Sequence, residues 1–286
     1  MGNLIPVQYR SHIYPFGIQA QLQEVVCNFD ANPLSTRTRF SMHTEYSFEK
    51  RHFKCHAVQG LHAITSANQR GIPQLWRSAG WADEFVTFTT RLADGRIPDV
   101  VEIHPPFNDY SSLEQFLETY AVFEQGILSR FPNVTLLVEN RSGTHYPGGS
   151  FVLSTAEQLS TFSDLLDRSS LRLKITLDIP QLFTAHKASQ KDIAQLLDDM
   201  RKIRHNISGI HLWGKRKNAK GTRTAHQGDL NSYFYNSQQT KALFLQQLVR
   251  FADDGSPRYF VPEVNSGRAD FLSIIQDLLS AGFCFV

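Results

Sequence analysis

Imidazoles and carboxylates recur in this chain at the ends of short apolar runs. The clearest run spans residues 134–138 (Val-Thr-Leu-Leu-Val) and leads straight into Glu139 and Asn140, after the turn signal at Pro132 and Asn133. The same position, behind an apolar or β-branched stretch, is taken by His43, His56, His104, Asp178, His211 and Glu263. One such residue alone is an ordinary polar group at a strand end; the repetition carries the meaning. If the runs are parallel strands of one closed sheet, their ends share a rim and these side chains face one another. Mixed imidazole and carboxylate donors suit zinc, manganese, iron or cobalt better than calcium or magnesium. The chemistry open to such a centre is polarisation of a substrate oxygen, activation of water, or proton movement beside a bound ion.

Eight runs qualify as strands: Leu4–Tyr9, Arg39–His43, Phe53–His56, Val100–His104, Thr135–Glu139, Leu173–Asp178, Ile207–His211 and Tyr259–Glu263. Continuous apolar runs of this kind suit strands buried on both faces. Helical spacing lies between them. Ile18–Cys27 reads as an amphipathic helix with Leu22, Val25 and Val26 on one side. Two further pieces cover Leu61–Asn68 and Asp83–Ala93. Capping signals at Ser111–Glu114, Ser154–Glu157 and Ser189–Asp192 open three more, Ser237 a fourth, and a last helix runs from Arg268 to Leu279. Strands alternating with helices predict an α/β fold, a (β/α)8 TIM barrel spanning residues 1–286 as one domain. The connection between the second and third strand candidates is too short for a parallel crossover, which needs a dozen or so residues.

Composition bounds the rest. The chain has 286 residues and a net charge of +2, too mild by itself to argue for nucleic acid. Cys27, Cys55 and Cys284 are widely spaced and form no CxxC pair, which fits a reducing compartment. No run reaches the roughly 18 apolar residues of a membrane span, and the N-terminus lacks the pattern of a secretory signal. These readings predict a cytoplasmic protein without a membrane partner; they leave the oligomeric state open. Charge does cluster at one place. Lys215, Arg216, Lys217, Lys220 and Arg223 follow the His211 strand directly, where they would make a phosphate-binding edge. Trp213, Tyr146, Phe107 and Tyr110 are candidates for stacking on a base or sugar.

The order of these elements resembles a known family. Glu139-Asn-Arg-Ser-Gly143 followed by Gly148-Gly149, then Asp178, His211 and Glu263 after the next strands, is similar to the xylose isomerase-like barrels. It looks most like their branch of apurinic endonucleases (endonuclease IV) and UV-damage endonucleases. The resemblance covers residues 38–270 and is fainter before residue 95. It implies that Glu139 bridges two divalent ions, zinc or manganese, with His56 and His104 on one and Asp178, His211 and Glu263 on the other. His43 or His62 are substitutes for His56. The family's third ion uses a His three residues after the Asp, together with an Asp-x-His unit. Here those positions read Gln181 and Thr224-Ala-His226, so a third ion has His226 but lacks two partners, unless His186 or Asp229 replaces them.

The activity implied is metal-dependent phosphodiester hydrolysis of duplex or damaged DNA, with Glu139 and Glu263 as catalytic carboxylates and the basic loop on the backbone. A sugar isomerase or epimerase is the alternative, with Glu139, Asp178, His211 and Glu263 around one ion and the two glutamates moving protons at carbon. A non-catalytic nucleic-acid-binding or assembly barrel is the third reading.

Overall fold

A computed structural model describes residues 2–31, 39–46 and 48–286. Its main sheet is a closed parallel barrel of β1 (Asn3–Gln8), β2 (Leu22–Val26), β3 (Phe40–His43), β4 (Val100–Ile103), β5 (Thr135–Glu139), β6 (Lys174–Asp178), β7 (Ile207–Leu212) and β8 (Pro257–Pro262). Neighbours in this order pair in parallel, and β8 returns to β1 from Asn3↔Pro257 to Pro6↔Phe260. Cys284–Phe285 adds a short strand beside Asn3 and Leu4.

Helices cover the outside from β3 onward. After β3 come α1 (His62–Ser66) and α2 (Ala79–Ala93); after β4, α3 (Leu113–Arg130); after β5, α4 (Ala156–Arg168). After β6 come α5 (Ile179–Ala185) and α6 (Gln190–Lys202), after β7 α7 (Leu230–Tyr233) and α8 (Gln238–Ala252), and after β8 α9 (Arg268–Ser280). Among the described residues, the crossovers from β1 to β2 and from β2 to β3 carry no helix. Capping chemistry fixes the starts. Ser112 with Gln115 and Thr155 with Gln158 form capping boxes, one residue later than the spacing predicts, because a glutamine rather than a glutamate reaches back. Ser189 with Asp192 caps α6, and Ser237 caps α8, as predicted.

Two expectations for the first third of the chain are corrected. Leu22–Val26 is a strand, not part of a helix. Leu22, Val25 and Val26 mimic helical spacing because Glu24, buried on the inward face, replaces the apolar residue that strand alternation calls for. Phe53–His56 is not a strand. Phe53 has φ +53° and stacks on Phe29, and the Cys55 amide donates to the Phe29 carbonyl. Its alternation reflects packing against a loop, with no ladder.

Strand side chains alternate between the interior and the helical shell. Val7, Tyr9, Leu22, Val100, Leu137 and Val261 pack together as the barrel's own core, with Tyr259 against them. Two residues further along several of these strands the character changes. Leu22 gives way to Glu24, Val100 to Glu102 and then His104, Leu137 to Glu139, and Val261 to Glu263. The same step takes Thr176 to Asp178 and Gly209 to His211. Gly209 is required here: a Cβ on it would lie 2.4 Å from Thr176 Oγ1, the hydroxyl that donates to Glu102 Oε2 at 2.7 Å. The interior is thus apolar at its base and ionisable at its mouth.

Outside the sheet, Trp76 packs among Trp81, Phe85, Phe116, Tyr120 and Phe123, and its Nε1 donates to the His104 carbonyl at 2.7 Å. That bond fastens the end of β4 to the α2–α3 layer. At the base, Arg258 is buried and holds Asp254 through two bonds of 2.9 and 2.7 Å, while its Nε donates to the Ile207 carbonyl. Burial alone would raise the Asp254 carboxyl, but Arg258 outweighs it and holds it below the ordinary value. A depressed acid contributes stability that is present above its unfolded pKa and lost as pH falls through the folded one. Asp254→Asn should destabilise the protein by about 1–2 kcal/mol at pH 7, since Asp254 is only half-buried and solvent screens part of the pair. The gap to wild type should shrink below about pH 4. Denaturant titrations at both pH values measure this; a gap that stays constant into acid would refute it.

Candidate metal centre at the barrel mouth

His43, His104 and Glu139 end β3, β4 and β5 and meet closely. His104 Nε2 lies 2.8 Å and His43 Nε2 3.1 Å from Glu139 Oε2, and the two nitrogens are 3.0 Å apart. Both rings are oriented from behind. His104 Nδ1 faces the Glu45 carbonyl at 3.1 Å, which can only accept, so the Nδ1 carries the proton. His43 Nδ1 faces Glu24 Oε1 at 2.8 Å. With a cation bound, each ring would be neutral and would turn its Nε2 lone pair to that cation beside the same carboxylate oxygen. Three electron-rich atoms converge on one point, which is the arrangement of ligands around a cation, with the far ring nitrogen held by a carbonyl or carboxylate.

Asp178, His211 and Glu263 form a second group at the ends of β6, β7 and β8, with ligand atoms within 4.8 Å of one another. Glu139 also groups with Glu102 and His211, and Glu24 with His43 and Glu263. All of these side chains are buried. Asp178 also caps α5: its Oδ1 accepts from the Gln181 amide at 2.8 Å, and its Oδ2 from Trp213 Nε1 at 2.8 Å.

The electrostatics describe a competition for too little positive charge. Burial, reinforced by Glu139, pushes Asp178 up to about 7. Burial likewise drives Glu263 well above the carboxylate range, with Glu139 adding to it against His211. Burial alone would lower His43 and His211, yet the surrounding carboxylates, Glu102 foremost, hold both well above the ordinary imidazole value. For His104 burial wins and lowers it to about 4, despite Glu139. Glu24 Oε2, Glu102 Oε1 and both ring nitrogens of His211 are buried without a hydrogen-bond partner. Buried polar atoms left this way cost free energy, and divalent cations satisfy both the lone pairs and the charge. The donor set fits a transition metal.

Of the predicted ligands, the structure gathers His104, Glu139, Asp178, His211 and Glu263. It does not gather His56, which is exposed at the head of a short 3-10 turn and lies outside every candidate ligand group among the described residues. His43, the named substitute, stands in that place. His226 sits at the edge: its Nδ1 is 3.2 Å from the Glu263 carbonyl and its ring packs on Trp213 at 4.4 Å. Burial lowers His226 to about 4. It joins no group of ligand atoms among the described residues. The third-ion substitutes are engaged elsewhere, since His186 accepts from the Ala156 amide and Asp229 caps α7. Gln181 takes the position of the expected His and donates to Glu139 Oε1 at 2.6 Å and Asp178 Oδ2 at 3.1 Å. A neutral amide thus links the two ligand groups.

Sequence reasoning missed Glu24 and Glu102. Glu24 was hidden by the helical reading of its strand. Glu102 stands in mid-strand, but its spacing from His104, two residues on, places both on the inward face.

The basic segment folds as a hairpin, Lys215–Lys217 against Arg223–Ala225. Three of its cations have structural duties. Lys215 Nζ bonds Thr184 Oγ1 at 2.6 Å, Arg216 pairs with Asp270 at 2.6 Å, and Arg223 donates to the carbonyls of Lys215, Ser232 and Tyr233. Lys217 and Lys220 are exposed. The proposed stacking aromatics are largely in the core: Trp213 and Phe107 are buried and Tyr110 bonds the Leu75 carbonyl. The mouth is lined instead by Tyr9, Tyr46 and Phe48, with Arg10 and Arg141, around a cavity of about 330 Å³. Arg141 Nη1 lies 3.4 Å from Glu139 Oε1, so one cation already faces the centre from the cavity side.

No protein-family model matches the chain, and a search of curated proteins finds no match. Solved structures do resemble it. The one described as AsfvAP:AG is 13% identical, with 85% of each chain covered and a TM-score of 0.53. An AP endonuclease, family 2, from Brucella melitensis is 11% identical over 82% of this chain and 85% of that one, with a TM-score of 0.47. A xylose isomerase-like TIM barrel/4-hydroxyphenylpyruvate dioxygenase fusion protein is 11% identical, covering 92% of this chain and 43% of that one, also at 0.47. At these identities the likeness is one of fold. The fold of this chain is a (β/α)8 TIM barrel.

Proposed function

We propose that the protein is a metal-dependent phosphodiester hydrolase that cleaves DNA at abasic or damaged sites. The observation that carries this reading is the meeting of two ligand groups at one mouth, His43–His104–Glu139 and Asp178–His211–Glu263, with Glu139 also grouped with Glu102 and His211. Two groups side by side suit two neighbouring ions better than one, and in-line phosphoryl displacement needs both its attacking and leaving oxygens stabilised. His43, His104 and Glu139 would hold one zinc or manganese ion, and Asp178, His211 and Glu263 the other. Such ions, when bound, supply Lewis acidity toward a phosphoryl oxygen and lower the pKa of water.

The chain's own residues do the rest. Gln181 and Arg141 fix Glu139 from its Oε1 side, leaving Oε2 for the centre. Glu263, flanked by His211 and His226, completes the opposite wall and can orient a water. Arg141, at the cavity, offers a charge to the phosphate, and Phe48, 5.9 Å beneath its guanidinium, offers a face to a sugar or base.

With Arg216 and Arg223 engaged in the hairpin, Lys217 and Lys220 are the cations placed to meet the DNA backbone. Lys217→Ala with Lys220→Ala should weaken duplex binding for all sequences and flatten the log-log salt slope by about 2, one per phosphate contact. Fluorescence anisotropy across a salt series reads this, and an unchanged slope would remove the hairpin from the interface.

The decisive assay is incubation of the full chain with an abasic duplex and manganese or zinc. Strand cleavage that a chelator stops is expected; intact duplex under both metals would overturn the reading. One observation favours a second reading. A cavity of about 330 Å³ is the size for a monosaccharide. Solvent deuterium entering a ketose, with the duplex left intact, would transfer the assignment to a sugar isomerase.

A further inference from the structure

We infer that a cavity on the shoulder of the barrel, apart from the metal centre, binds a nucleoside phosphate. The inference does not rest on the DNA reading. The cavity holds about 530 Å³ between the end of α5, the start of α6, the basic hairpin and the turn from α7 to α8. It shares no lining residue with the cavity at the mouth. Trp213 parts the two: its Nε1 donates to Asp178 Oδ2 at 2.8 Å, and the Lys215 ammonium lies 5.4 Å from its ring centre.

Charge is the first sign. Lys187, Lys215 and Arg223 line the cavity, and no carboxylate does. Lys215 and Arg223 are held in place, but only by neutral groups. Thr184 Oγ1 donates to the Pro180 carbonyl at 2.7 Å, so toward Lys215 Nζ, 2.6 Å away, it is an acceptor. Arg223 uses Nη2 for three backbone carbonyls. Such bonds orient a cation without neutralising it. Among the described residues neither cation is paired with a carboxylate, whereas Arg216 in the same hairpin pairs with Asp270. Burial, with Arg223 adding to it, holds the Lys215 ammonium below the ordinary lysine value, against the pull of Asp178. Half-buried cations that lack a counterion favour an anion between them.

The second sign is aromatic. Phe183 and Phe234, both buried, floor the cavity. Tyr235 stands at its edge 73% exposed, with the Arg223 guanidinium 3.9 Å from its ring centre. The Tyr235 backbone is left-handed at φ +54°, and so is that of Lys187 on the facing wall at φ +48°. Bulky side chains rarely adopt this region, and strain of this kind gathers at ligand sites. The turn is pinned by the Asn236 amide, which donates to the Asn231 carbonyl at 2.7 Å. A bare phosphate would leave most of the volume empty. A phosphate joined to a planar ring uses both features, its oxygens on Lys187, Lys215 and Arg223 and its base on the aromatic faces. The competing arrangement is a solvated basic hollow with no organic ligand.

Calorimetric titration separates the two. The full chain, treated with a chelator so that no ion at the mouth draws phosphate, should bind one equivalent of dAMP. Inorganic phosphate and deoxyadenosine should each bind about tenfold more weakly or worse, since each offers half of the contacts. Lys215→Gln should weaken dAMP by about tenfold or more. Tyr235→Gly accepts the left-handed backbone and removes only an exposed ring; it should weaken dAMP by about fivefold. That variant provides the reading if Lys215→Gln fails to fold. No binding of dAMP, an affinity that both substitutions leave unchanged, or phosphate bound as tightly as dAMP would overturn the site.

Discussion

Glu139→Gln should lower the rate of abasic-duplex cleavage by about 10³-fold or more, equivalent to about 4 kcal/mol of transition-state stabilisation. The substitution keeps the shape of the side chain and removes the negative charge that His43 and His104 both face. It also places an amide opposite Gln181 Nε2, 2.6 Å from Glu139 Oε1 in the native arrangement. His104→Ala should fall as far, because the ring is held from behind by the Glu45 carbonyl and faces Glu139 Oε2 at 2.8 Å. His56→Ala is the informative control. The family resemblance assigns it a metal, whereas it stands exposed on a turn outside the ligand groups. Its activity should stay within about threefold of wild type, a barrier change of well under 1 kcal/mol. Single-turnover kinetics on a labelled duplex give all three numbers. A His56 variant as inactive as His104→Ala would show that the ligand set has been drawn in the wrong place.

Stripping the metal should soften the protein as well as silence it. Buried Glu24, Glu102, Glu139, Asp178 and Glu263 crowd around His43, His104 and His211, and without cations some must take protons or repel. An ion present at a thousand times its dissociation constant stabilises the folded state by about 4 kcal/mol. For a chain of this size that is a rise in melting temperature of about 7 °C. Calorimetry of the chelated protein before and after addition of manganese or zinc should show it. Magnesium, which prefers all-oxygen octahedral sites, should restore much less. A melting curve indifferent to chelation and to every metal would mean that protons alone satisfy the mouth.

How far the residues announced this arrangement differs along the chain. Glu139, Asp178, His211 and Glu263 were legible because each closes a largely apolar strand, so hydrophobicity and polarity change at one position. The last five barrel strands were placed within about two residues on the same ground. Around β2 and β3 that contrast fails. Glu24 is an acid on an inward face, so alternation is erased just where the strand matters most. His43 was visible as a strand end, but the ligand place went to His56, since Phe53 and Cys55 alternate for reasons of loop packing. Glu102 was overlooked because a site read from strand ends has no place for a carboxylate one layer down. Local pattern reports which face is buried; it does not report that a buried face is charged.

The three tryptophans give the molecule a built-in optical gauge. Trp76, Trp81 and Trp213 are all at most 3% exposed, so native emission should be blue and should resist small-molecule quenchers. Trp213 is wired to the centre, through its bond to Asp178 and its contact with His226. Trp76 grips the backbone of His104. Filling the mouth should therefore alter their fluorescence without any attached dye, and a Trp213→Phe protein would reveal which share of that signal belongs to each side of the barrel.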